Sequence, residues 1–140
     1  MTEGAIARKL KLTGHRWAVI TGGEPLHQSI ETLCRILRFN GHKIQVETNG
    51  SIQPSEALID LVDHWTVSPK GVALANIPVK EYKYVVTAET ATDLIPKRNV
   101  PIYLQPDNNK PEMIEKCIEA IKNRGDLRLS VQLHKILKIR

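Results

Sequence analysis

The chain has 140 residues, 41% of them hydrophobic and 25% charged, which is the make-up of a folded globular protein and excludes a disordered one. That length suffices for one domain, residues 1–140, with a real core. No apolar run approaches the length of a membrane span, the N-terminus carries no signal-peptide pattern, and two cysteines cannot build a disulfide framework. A cytoplasmic protein with no membrane partner is expected, its two thiols free and buried. The formal net charge of +5 gathers at the ends, with Arg8, Lys9, Lys11 and Arg16 near the start and Lys122, Arg124, Arg128, Lys135, Lys138 and Arg140 near the finish. Aromatic residues make up only 4% and do not interleave with those charges, so nucleic acid is not an expected partner.

In chain order, residues 4–12 read as a weak helix and 17–21 as the first strand. Two glycines, an acid and a proline follow, Gly22-Gly23-Glu24-Pro25. Ile30, Leu33, Cys34 and Leu37 then take the spacing of an amphipathic helix, with Ser29 as its expected N-cap and Asn40-Gly41 as its stop. Residues 43–48 form the second strand, ended by Asn49-Gly50, and a short helix opens at Pro54 and runs to Leu61. A third strand, 65–68, is closed by Pro69, and 71–79 are irregular. Residues 81–86 read as a strand, 89–94 as one or two helical turns, and 100–105 as a strand stopped by Pro106. Pro111 starts a helix with Ile114, Cys117, Ile118 and Ile121 as its buried side, and Gly125 ends it. A last strand, 127–133, leads into His134 and a basic tail.

Strands alternating with helices imply a largely parallel sheet, hence an α/β fold. Strands covered on both faces should be continuously apolar. Here Ile44 and Val46 alternate with Gln45 and Glu47, Ile102 and Leu104 with Tyr103 and Gln105, and Leu129, Val131 and Leu133 with Ser130, Gln132 and His134. One polar face on a parallel sheet suits a curled, partial (β/α) barrel whose interior holds a ligand, with the site at the C-terminal strand ends. Gly22-Gly23-Glu24-Pro25, Glu47-Thr48-Asn49-Gly50, Ser68-Pro69-Lys70 and Gln105-Pro106 all fall there. Paired glycines let a ligand approach the main chain, and Pro25 holds Glu24 extended, so the turn suits a small ligand with a cationic amine. An ordinary strand-to-helix turn would use the same residues.

Taken together, Thr21-Gly22-Gly23-Glu24-Pro25, Glu47-Thr48-Asn49-Gly50, Ser68-Pro69-Lys70, Leu104-Gln105-Pro106 and Val131-Gln132-Leu133-His134-Lys135 resemble the 7-carboxy-7-deazaguanine synthases in order and spacing. These are radical S-adenosylmethionine lyases of queuosine and 7-deazapurine biosynthesis. The resemblance implies a radical-SAM partial barrel and conversion of 6-carboxy-5,6,7,8-tetrahydropterin to 7-carboxy-7-deazaguanine with loss of ammonia. It implies S-adenosylmethionine, a [4Fe-4S] cluster and Mg2+ as cofactors. Gly22, Gly23, Glu24 and Pro25 would hold the methionine end of the nucleotide, with Ser68, Lys70 and Gln105 in the same pocket. Glu47, Thr48, Asn49 and His134 would face the pterin.

The family's first strand and its cluster-binding cysteine loop would precede Gly4, and Cys34 and Cys117 stand elsewhere. A cluster of this kind takes three protein thiolates. The expectation is an incomplete barrel without its first strand, resembling the C-terminal two-thirds of the enzyme and unable by itself to make the radical. The catalytic residues are therefore left unassigned, and no metal ligand is expected on this chain, those of the cluster and of Mg2+ being absent from it. A complementing N-terminal polypeptide, or a homodimer through the bared edge of the first strand, is the expected partner. Two other readings compete: a non-catalytic descendant that keeps the S-adenosylmethionine or pterin pocket as a binding module, and an interaction or doubly wound nucleotide-binding domain. The last would need a phosphate loop, and Gly22-Gly23-Glu24-Pro25 is a poor one because Glu24 would repel phosphate.

Overall fold

A computed structural model describes residues 2–138, and the chain divides into two compact units at the Lys80–Glu81 boundary. The first unit contains helix α1 (Glu3–Thr13), strand β1 (Trp17–Ile20), a one-turn 3-10 helix (Pro25–His27), α2 (Glu31–Phe39), β2 (Lys43–Thr48), α3 (Glu56–Leu61) and β3 (His64–Val67). β1, β2 and β3 pair in parallel, with Ala18 beside Ile44, Ile20 beside Val46, and Val46 beside Trp65. Ile44, Val46 and Thr48 are buried while Lys43, Gln45 and Glu47 are half-buried, which is the predicted alternation. With Leu37 of α2, Trp65 and Val67, the apolar set forms the core of this unit. Packing of this kind, more than intrinsic propensity, keeps short helices such as α2 formed.

Side chains fix the ends of these elements. Gly41, at φ +83°, supplies the left-handed residue that lets the chain leave α2. Asp63 accepts the Ile44 backbone N–H at 2.8 Å and two bonds from Arg38 at 2.9 Å. Desolvation works hardest against its ionisation, but the Ile44 amide and the Arg38 guanidinium together outweigh it and hold the carboxyl below its usual range. Ser29 does not cap α2: Ile30 occupies that position, and no side chain bonds there. The hydroxyl that does cap a helix is Ser55, which accepts the Leu58 N–H at 3.2 Å at the start of α3.

The second unit contains β4 (Glu81–Val86), a one-turn 3-10 helix (Thr92–Leu94), β5 (Ile102–Pro106), a second such turn (Asp107–Asn109), α4 (Pro111–Asn123), β6 (Leu127–Leu129) and α5 (Leu133–Ile136). β4, β5 and β6 are again parallel. Only the second half of 89–94 is helical, because Thr90 turns back to take the Thr87 N–H on its hydroxyl at 2.9 Å. On α4 the fully buried residues are Cys117 and Ala120. Ile118, expected on the buried side, is 39% exposed, since a position next to Cys117 is rotated away from the sheet.

The last strand is shorter than its alternation suggests. β6 stops at Leu129, and Ser130 makes one more bond to Leu104 O at 2.8 Å. Beyond that, the main-chain groups of Gln132 are taken by the side chain of Asn109, and residues 133–136 turn into α5. Ser130, Gln132 and His134 therefore do not form a polar row along one strand.

Candidate functional site

The first unit assembles its polar residues where β1, β2 and β3 end. After β1 the backbone turns through Gly22 at φ +96° and Gly23 at φ +55°, angles that suit glycine, and both residues are exposed. Glu24 is extended (φ −124°, ψ 108°), as the following proline dictates, and caps the 3-10 turn in which Pro25 is buried.

The carboxylate of Glu24 is only 9% exposed and points inward. Its Oε1 accepts the Thr48 hydroxyl at 2.7 Å and the Leu26 N–H at 3.1 Å, and its Oε2 accepts the Asn49 N–H at 2.7 Å. Sequence reasoning places this carboxylate beside exposed peptide groups, ready for a ligand's amine. In the structure it joins the glycine turn to the end of β2, and the exposed groups of the corner are the Gly22–Gly23 peptides.

Around this link the other donors and acceptors fall into order. Thr48 Oγ1 accepts the Gly50 N–H at 3.1 Å, and Thr48 O accepts the Ser68 N–H at 2.8 Å. Asn49 Oδ1 accepts the Ser51 N–H at 2.8 Å, which sets the Asn49 side chain across its own turn. Thr21 Oγ1 donates to Glu47 Oε2 at 3.3 Å, and Gln45 donates to the buried Thr66 hydroxyl at 3.0 Å. Gly50, at φ +81°, seats its backbone against Val67 and Leu74, and Ala75 N donates to its carbonyl at 2.8 Å.

Of the predicted site residues, Gly22, Gly23, Glu24, Pro25, Glu47, Thr48, Asn49 and Ser68 lie within this one network or its immediate turns. Lys70 is exposed just after it. Gln105 and His134 belong to the second unit, Gln105 half-buried at the end of β5 and His134 exposed on α5. Sequence reasoning missed Asn109, whose amide bonds both main-chain groups of Gln132. The Asn108-Asn109 pair was its one signal, a step that marks a turn.

Among the described residues, no group of three or more His, Cys, Asp or Glu side chains converges as a metal site. The two thiols do not fit an iron–sulfur cluster. Cys34 lies buried on α2 and Cys117 buried on α4. Burial raises both, Cys34 to about 11, whereas a metal ligand must be a thiolate.

A scan against protein-family models finds no match. The chain is 31% identical over 156 residues to the 7-carboxy-7-deazaguanine synthase of Aquifex aeolicus (strain VF5), covering 97% of this chain and 71% of that one. It is 38% identical over 135 residues to the enzyme of the same name from Bradyrhizobium diazoefficiens, covering 90% of this chain and 60% of the relative. It is similar in structure to QueE from Escherichia coli, with a TM-score of 0.68 and 27% identity over 94% of this chain and 64% of that one.

Proposed function

The chain belongs to the 7-carboxy-7-deazaguanine synthase family, and on that premise we propose that it binds S-adenosylmethionine and 6-carboxy-5,6,7,8-tetrahydropterin as part of a radical lyase forming 7-carboxy-7-deazaguanine. The observation that carries this reading is the Glu24–Thr48–Asn49 network, which fixes exposed glycine peptides at the C-terminal ends of parallel strands. Preorganised main-chain groups suit the amine and carboxylate of a methionine end, because they bind without first reordering the turn. Ser68 and Lys70 extend the nucleotide site within the first unit, and Gln105 is the nucleotide contact we assign in the second. Glu47, Thr48 and Asn49 are the pterin contacts we assign in the first unit, and His134 is the one we assign in the second. Carboxylate and amide groups can read the donor edge of the pterin ring, and an imidazole can meet its carboxylate.

Among the described residues no three His, Cys, Asp or Glu side chains converge as a metal site, and we propose that the ligands of the cluster and of Mg2+ lie on a complementing segment. The outer edge of β1 is the place for that segment, or for a second copy, to pair. β1 ends the strand order, with Trp17 43% and Val19 52% exposed. The poor fit of the two thiols favours a second reading, a non-catalytic binder of the same ligands.

Calorimetric titration of the full chain with each ligand tests the shared part of both readings. A saturable one-to-one heat with S-adenosylmethionine is expected, and no heat with either ligand would contradict them. Addition of iron, sulfide, reductant and a candidate cysteine-bearing N-terminal fragment then separates the two. Formation of 5′-deoxyadenosine supports the lyase, and its absence with intact binding supports the binder.

A further inference from the structure

The segment after β5 is strained without an apolar reason. Asn108 (φ 51°) and Asn109 (φ 53°) are consecutive left-handed residues, a conformation that asparagine tolerates but does not prefer. What the strain secures is a two-point contact 23 residues away. Asn109 Nδ2 donates to Gln132 O at 3.0 Å, and Asn109 Oδ1 accepts the Gln132 N–H at 3.1 Å. One side-chain amide thus satisfies both main-chain groups of Gln132, as a neighbouring strand would. Beside it, Lys135 Nζ donates to Asn108 Oδ1 at 2.6 Å.

The held segment has little else to keep it in place. α5 has four residues and buries none of them, and Leu133, Ile136 and Leu137 are 60%, 53% and 62% exposed. A helix of one turn does not sustain itself in water. Its placement therefore rests on polar contacts, chiefly those of Asn109. The segment carries Gln132, whose Oε1 is buried without a protein partner, and His134 two residues later.

We propose that Asn109 is a positioning residue that docks residues 132–137 and so sets where His134 meets the carboxylated pterin, an inference that rests on the pterin reading above. Asn109 itself touches no substrate. It acts through the backbone of Gln132, trading a strained turn for a fixed entry into α5.

The test compares Asn109→Gly and Asn109→Asp with the unmodified full chain. Glycine accepts the left-handed backbone and removes only the amide; aspartate keeps the acceptor for the Gln132 N–H and loses the donor. In Asn109→Gly, exchange of the Gln132 amide should speed up about tenfold, the scale set by losing a pair of net hydrogen bonds. 15N relaxation should show residues 133–137 loosened, with β4, β5 and α4 unchanged. Pterin affinity should fall by about the same factor while S-adenosylmethionine affinity holds, and Asn109→Asp should lie between. Unchanged exchange at Gln132 would overturn the docking role. Faster exchange with undiminished pterin affinity would overturn the link to substrate. Absence of pterin binding by the unmodified chain would overturn the reading of His134, while exchange at Gln132 would still decide the docking.

Discussion

Glu24→Ala should destabilise the first unit by about 3 kcal/mol and abolish nucleotide binding. The carboxylate satisfies three donors, the Thr48 hydroxyl, the Asn49 N–H and the Leu26 N–H. Thr48 is buried and Glu24 is 9% exposed, so water replaces the lost acceptor poorly. Stranded buried donors cost on the order of 1–3 kcal/mol each, less where solvent can enter, and the glycine side of this corner is open. Glu24→Gln is the gentler probe. Its oxygen can still serve Thr48 and Leu26, but its NH2 then faces the Asn49 N–H, donor against donor. A loss of about 1–2 kcal/mol and a weaker grip on S-adenosylmethionine are expected. Urea denaturation checks the first value and calorimetry the second. An unchanged midpoint in Glu24→Ala would show that the network holds nothing together.

Gly50→Ala is expected to be the most damaging methyl addition in the chain, at about 2–4 kcal/mol. Two costs coincide there. The backbone at φ +81° lies in the left-handed region, and an added Cβ would sit 2.8 Å from Val67 Cγ1 and 2.9 Å from Leu74 Cδ2. Val67 is fully buried in the core, so it has little room to yield. Gly71→Ala provides the control. Its φ is +73° and nothing lies within 4 Å of the added carbon, so it carries only the conformational cost of about 1 kcal/mol. The difference between the two midpoints isolates the clash. Equal midpoints would mean that the Gly50 turn moves freely away from β3 and that the end of β2 is not held in order.

The sequence is most legible where a local period and a stop signal agree. β2 spans residues 43–48 because Ile44, Val46 and Thr48 alternate with polar neighbours and Asn49-Gly50 breaks the run. β4 (Glu81–Val86) and the proline start of α4 follow in the same way. Misreadings arise where a distant side chain takes over a main-chain group. The alternation over 127–133 looks like a strand, yet Asn109 removes Gln132 from any ladder, and no periodicity in the sequence announces a bond across 23 residues. The candidate site shows both effects. Glycine, glutamate and proline in a row reveal the turn, but not that the acid looks inward. That direction is set by Thr48 at the end of another strand and Asn49 just after it, once the parallel pairing of β1 with β2 brings them close.

The measurement that bears most directly on this account is a titration of the full chain with S-adenosylmethionine, followed at individual backbone amides by 15N NMR. The largest shifts should fall on Gly22, Gly23, Asn49 and Gly50, with saturation at one equivalent. Saturable binding that leaves those four amides unmoved would contradict it.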